Sequence, residues 1–179
     1  MATLNNESRF ETRAIHAGQP PESNTGAVIP PIFQTSTYAQ RSPGEDTGYV
    51  YGRGNNPTRT AYQDCLASLE NAKYALAFSS GVAATHTVLQ TLSPGDHVIC
   101  CDDVYGGTFR LFDKVFKSLG IEFSYVDLTD IELAKNAIRP ETKLMWMESP
   151  TNPLLKIFDI DALCSLCKKN NIISAVDNT

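Results

Sequence analysis

Five short apolar runs, at residues 74–79, 97–101, 122–126, 143–147 and 172–176, are the strongest constraint on what this chain can fold into. Each has the length of a buried strand, and each is separated from the next by a stretch with helical spacing of apolar residues. Strand and helix in regular alternation predict a three-layer α/β fold, a mostly parallel sheet with helices on both faces. Open sheets of this kind hold their ligands outside the carboxyl ends of the strands. Polar or glycine-bearing clusters follow four of the runs at that end: Ser79-Ser80-Gly81, then residues 102–107, then residues 148–153, then Asp177.

The intervening helices can be read one by one. Tyr62, Cys65, Leu66 and Leu69 make an i, i+3, i+4, i+7 face, so residues 58–71 read as a helix. Residues 82–92 form the next, stopped by Ser93-Pro94-Gly95. Leu111, Phe112, Val115, Phe116 and Leu119 mark a third, ended by Gly120. Residues 131–138 and 160–170 complete the set, the last with Asp159 as its cap. Before all of these, Pro20-Pro21, Pro30-Pro31 and Pro43 suit an extended arm with short turns. The expected organisation is an N-terminal arm over residues 1–57 and a sheet domain over residues 58–179.

Composition excludes several classes of function. A net charge of −5 with no Lys/Arg stripe argues against nucleic acid as a partner. No apolar stretch reaches the ~18 residues of a membrane span. Met1 to Glu7 lack the basic start and hydrophobic core of a secretory signal, which leaves a cytoplasmic location as the expectation. The five cysteines fit a reducing compartment. Cys100 and Cys101 point to opposite faces of one strand, and Cys164 and Cys167 share a buried helical stripe with Ile160 and Leu163. No second C-x-x-C or histidine pair completes a metal set, and His16, His86 and His97 show no ligand spacing, so no metal site is expected.

The strand-end clusters carry the candidate chemistry. Ser79-Ser80-Gly81-Val82 joins a strand to a helix; the glycine admits close approach and the helix N-terminus offers free N–H groups, which suits a phosphate. An ordinary turn with serine as N-cap has the same sequence. Tyr105, before Gly106-Gly107, is either a platform for a flat ligand or a partly buried surface aromatic. Asn152 stands between Pro150 and Pro153, which fix the direction of its amide. Asp177 suits a hydrogen bond from a protonated ring nitrogen, or equally a helix cap.

Together, the runs GAVIPPI (26–32), YGRGNNPTR (51–59), LENAKYALAFSSGVAA (69–84), GDHVICCDDVYGGTFR (95–110), ESPTNP (148–153) and AVDNT (175–179) resemble the Cys/Met-metabolism family of pyridoxal-phosphate enzymes. Within that family the likeness is to the cystathionine γ-lyase branch. The resemblance implies the large domain of the type I fold and pyridoxal 5'-phosphate as cofactor. It implies that Gly81 and Val82 hold the phosphate, Tyr105 stacks on the ring, Asp177 pairs with the ring nitrogen and Asn152 orients the ring hydroxyl. It gives Tyr105, Arg110 and Asn152 to the substrate, with Tyr105 the catalytic position on this chain. It sends Tyr51 and Arg53 to the phosphate of a neighbouring subunit in a homotetramer. The family commonly reads YSRSGNPTR where Gly52, Gly54 and Asn55 stand here.

The activity so implied is γ-elimination of L-cystathionine to cysteine, 2-oxobutanoate and ammonia, with hydrogen sulfide release from L-cysteine as a side reaction. The same resemblance places the Schiff-base lysine and a C-terminal domain beyond Thr179; none of the eight lysines from Lys73 to Lys169 stands in the lysine motif. The chain is therefore expected to be an incomplete, N-terminal portion without turnover of its own. A naturally short, non-catalytic product that binds full-length subunits fits the same sequence. The missing portion includes two strands, without which the run at 74–79 is expected to have no ladder partner.

Overall fold

The computed structural model describes residues 8–179; Met1 to Glu7, read above for a secretory signal, lie outside them. The chain divides into two compact units between Phe78 and Ser79.

In the first unit, α1 (Phe10–His16) packs on α2 (Pro57–Leu69). The sequence predicts an extended arm with short turns, and α1, a helix packed on α2, corrects that. Its single buried residue is Arg13, so no apolar period marks it in the sequence. The Arg13 guanidinium donates to the Ser68 carbonyl and, at 2.7 Å, to Asn71 Oδ1 beyond the end of α2. Asn56 caps α2 through the Thr58 N–H, and Pro57 occupies the first helical position, where its missing donor costs nothing. The apolar face read for α2 is present in sequence, yet no residue of that helix is buried.

The second unit holds α3 (Gly81–Leu89), β1 (His97–Cys101), α4 (Gly106–Arg110), β2 (Glu122–Val126), α5 (Ile131–Asn136), β3 (Thr142–Glu148), α6 (Ile160–Lys169) and β4 (Ile173–Asp177). Its four strands form one all-parallel sheet in the order β2-β1-β3-β4. Register partners share a face. One face therefore carries Val98, Cys100, Phe123, Tyr125, Trp146, Glu148 and Asp177, and the other carries Ile99, Cys101, Met145 and Met147. The helical segment after β1 covers the first face: Phe112 stacks on Phe123 at 4.9 Å and meets Trp146 edge-on at 5.7 Å. Helix α6 covers the second, where Cys167 Sγ lies 3.6 Å from Met145 Sδ. Cys100 and Cys101 are both buried, as a strand covered on both faces requires.

Two sequence expectations need correction. The run at 74–79 has no ladder partner, as expected, and for that reason is not a strand; Ala77 donates its N–H to Gln63 Oε1 instead. Among the described residues four strands are present in place of five, because a lone strand leaves its backbone groups unpaired. The third helix starts earlier than its apolar residues indicate: α4 begins at Gly106 and continues through a wide π turn (Leu111–Phe116) and a 3-10 turn (Lys117–Leu119). Two glycines at its start hide it from periodicity. Gly120 ends it in the left-handed region at φ 88°, as the sequence predicts.

Phe112 is fully buried and Leu119 is 57% exposed. Phe112→Ala is expected to cost about 3–5 kcal/mol in urea unfolding, and Leu119→Ala less than about 1 kcal/mol. Equal losses from the two would show that this face of the sheet is not the core.

Candidate active site

The sheet fixes the floor of a cavity of about 690 Å³ in the second unit, lined by Gly81, Val82, Tyr105, Glu148, Asn152 and Asp177 among others. It opens at the carboxyl ends of β3 and β4, between the starts of α3 and α4, on the face that carries Glu148 and Asp177. Four positions read from separate sequence clusters thus meet around one hollow.

Helix α3 supplies one wall. Ser80, in extended conformation, caps it: its Oγ accepts from the Ala83 N–H and its carbonyl from the Ala84 N–H, each at 3.1 Å. The first-turn N–H groups of Gly81 and Val82 stand outside the helix's own ladder. The space beside Gly81 is open, with no atom within 4 Å of where a Cβ would stand. The helix dipole adds partial positive charge at this end.

Tyr105 supplies a second wall. Its ring is 46% exposed and lies over Gly107, where a Cβ would come within 2.4 Å of the ring edge. Only glycine at 107 lets the ring take this pose. The Tyr105 N–H is held by the Glu148 carboxylate, at 3.0 and 3.2 Å from its two oxygens.

Asp177 closes β4 directly beside Glu148 at the end of β3. Its Oδ1 accepts from the N–H and hydroxyl of Thr179, at 3.0 and 2.7 Å, which turns the chain and leaves Oδ2 as the acceptor available to a guest. Burial pushes the Glu148 carboxyl up from its usual range; the Tyr105 and Asn152 N–H groups oppose that, and the charges of Asp177 and Asp103 add to it.

The loop bearing Asn152 is tied down at two points. Buried Asp103 accepts from the Thr151 hydroxyl at 2.5 Å and the Leu154 N–H at 2.8 Å. Lys156 donates to Asp102 at 2.8 Å and to Asp127 at 3.0 Å, which joins the loop to the ends of β1 and β2. Its ammonium is held by both acids, and no lysine is among the residues lining the cavity.

Arg110 is exposed and does not line the cavity; its guanidinium folds back beside Gly106 at the start of α4. Tyr51 and Arg53 belong to the first unit, where the guanidinium lies 4.7 Å over the tyrosine ring. Glu148 is the site residue that sequence reasoning passed over individually. The signal was there: like Asp177, it is an acid closing an apolar run.

Comparisons with known proteins agree on one family. The family model described as "Cys/Met metabolism PLP-dependent enzyme" matches residues 11–179. A probable cystathionine gamma-synthase of Herpetosiphon aurantiacus is 58% identical over 95% of this chain and 53% of its own length. A cystathionine beta-lyase of Coxiella burnetii is 52% identical over 99% of this chain and 46% of its own. The crystal structure of cystathionine gamma-lyase from Lactobacillus plantarum complexed with L-serine superimposes with a TM-score of 0.92 at 45% identity, covering 96% of this chain and 45% of that one. The chain spans about half the length of the curated relatives it matches.

The Lys156 bridge makes a pH prediction. Hydrogen bonds from the Thr129 hydroxyl, then from Lys156, hold the Asp127 carboxyl down at about 2, against a usual 3.8. The fold prefers the ionised form, so this stabilisation is complete above the usual value and disappears as pH falls toward about 2. Asp127→Asn is expected to flatten the acid limb of the stability curve across that window. The change should be small, since the side chain is 37% exposed. Urea midpoints that fall as steeply in the variant as in the wild type would contradict the assignment.

Proposed function

Because the chain belongs to the Cys/Met metabolism family of PLP-dependent enzymes, we propose that it is the N-terminal part of a carbon–sulfur lyase of the cystathionine γ-lyase type. The family's cofactor is pyridoxal 5'-phosphate, and the cavity has the chemistry to hold it. The observation that carries this reading is the placement of a helix N-terminus, an aromatic ring and a carboxylate with a free oxygen around one hollow.

In this reading Gly81 and Val82 donate their N–H groups to the cofactor phosphate, where the α3 dipole favours negative charge. Tyr105 covers one face of the pyridine ring. Asp177 Oδ2 accepts from the ring nitrogen and keeps it protonated. Asn152, on its doubly anchored loop, orients the ring hydroxyl, and Arg110, whose guanidinium rests beside Gly106, is assigned to the substrate by family likeness alone. When bound, the cofactor supplies an electron sink conjugated to the substrate α carbon. The protein's part is to align the ring so that this sink is in register with the bond that breaks, and to hold the proton on the ring nitrogen.

The substrate proposed is L-cystathionine, cleaved on the γ side to cysteine, 2-oxobutanoate and ammonia, with L-cysteine as a second substrate. The assembly proposed is a homotetramer, in which Tyr51 and Arg53 reach the phosphate of a neighbouring subunit; the location proposed is the cytoplasm. A second reading, cystathionine γ-synthase, is favoured by the relative of 58% identity.

Product analysis with L-cystathionine, carried out on the full-length protein that contains this chain, tests the substrate and the side of cleavage. 2-Oxobutanoate with cysteine supports the γ-lyase; pyruvate with homocysteine means β cleavage; net formation of cystathionine means the synthase. Asp177→Asn in an intact, full-length relative is expected to cut turnover on the order of a hundredfold while phosphate capture persists. Turnover at the wild-type rate would remove Asp177 from the ring nitrogen. Gly107→Ala, which must displace the Tyr105 ring, is expected to weaken cofactor affinity about tenfold by equilibrium dialysis. Unchanged affinity would show that the ring is not a stacking partner.

A further inference from the structure

Glu148 is 5% exposed and lines the cavity, and among the described residues no salt bridge pairs it: the one lysine of the adjoining loop is held by Asp102 and Asp127. The β3–β4 register sets it next to Asp177, a like charge that opposes ionisation. An apolar residue in this place would pack without that cost, so the carboxylate needs a local reason. Its contacts supply one. Both of its oxygens face the Tyr105 N–H, and the Asn152 N–H also favours its ionised form. Tyr105 has no side-chain cap of its own and begins a helix of only five residues that opens with two glycines. Its carbonyl accepts locally from the Phe109 N–H at 3.0 Å, but its N–H is tied only by Glu148, 43 residues away.

We infer that Glu148 is a positioning residue, which holds the Tyr105 backbone, and with it the ring, in the pose the cofactor requires. This rests on the reading of the cavity as the cofactor site. The role depends on reach rather than on charge. Two hydrogen bonds at 3.0 and 3.2 Å need the full length of a glutamate; aspartate keeps the charge and falls short by one methylene, whereas glutamine keeps the reach and one acceptor oxygen. An electrostatic role toward a protonated ring makes the opposite demand, since aspartate would preserve it and glutamine abolish it.

Glu148→Asp and Glu148→Gln therefore separate the two, read by pyridoxal 5'-phosphate affinity, by the induced circular dichroism of the bound cofactor and by hydrogen exchange at the Tyr105 amide. The expected result is that Glu148→Asp weakens cofactor binding about tenfold, reduces the induced signal and speeds Tyr105 exchange, while Glu148→Gln stays within about threefold of wild type. In a Tyr105→Ala background, Glu148→Asp is expected to add less than about a twofold further loss, because the partner it positions is gone. Wild-type behaviour of Glu148→Asp, or a tenfold loss confined to Glu148→Gln, would overturn the inference. Failure of the wild-type protein to bind the cofactor would instead overturn the reading of the cavity, and Tyr105 exchange in the two variants would still decide the role of Glu148.

Discussion

The parallel ladder between β3 and β4 is the constraint on which the site depends. It pairs Leu144 with Ile173 and ends by pairing Glu148 with Asp177, so two acids leave the sheet side by side on one face. A slip of one residue would send Asp177 to the opposite face, where α6 packs, and the cavity would lose its floor. The buried residues Met145, Trp146 and Met147 fix β3 in the core, and the ladder carries that position across to β4, none of whose residues is buried.

The loops around that floor are held by a second set of acids with different partners. Asp103 is buried and spends its Oδ2 on the 151–154 turn; Asp102 and Asp127 share one ammonium from Lys156. Two strand ends, those of β1 and β2, are joined to the Asn152 loop in this way, and neither these three acids nor Lys156 line the cavity. Glu148 does the corresponding work for the Tyr105 loop. The Asn152 and Tyr105 loops are therefore each anchored by a carboxylate, which suits a site that must hold a flat ligand at fixed angles.

The sheet was legible because its strands are short, apolar and closed by turn residues; residues 97–101 and 122–126 were bounded correctly from sequence. The run at 74–79 has the same composition and is not a strand, since pairing is a property of neighbours and not of the segment. Helix α1 was missed because its buried residue is an arginine, and the start of α4 because it is made of glycines. Among the site residues, Gly81, Val82, Tyr105, Asn152 and Asp177 come together as the strand-end argument requires. Glu148 was harder to see. Its meaning lies in an N–H group 43 residues away, and no local pattern encodes that contact.

The charges at the cavity are unevenly placed, and the unevenness has a consequence. Glu148 and Asp177 make the floor negative; Lys156 is bound by Asp102 and Asp127, and among the described residues no salt bridge reaches either floor acid. The start of α3, on another wall, presents N–H groups and a positive dipole end. A guest with a protonated ring nitrogen at one end and a phosphate at the other is attracted in one orientation and repelled in the reverse. Burial of the Glu148 carboxyl beside a half-buried Asp177 is costly to the fold, and a pair of apolar residues would make a more stable sheet end. What the acids supply in exchange is direction: they turn a hollow that could accept many flat molecules into one that aligns a dipolar ring.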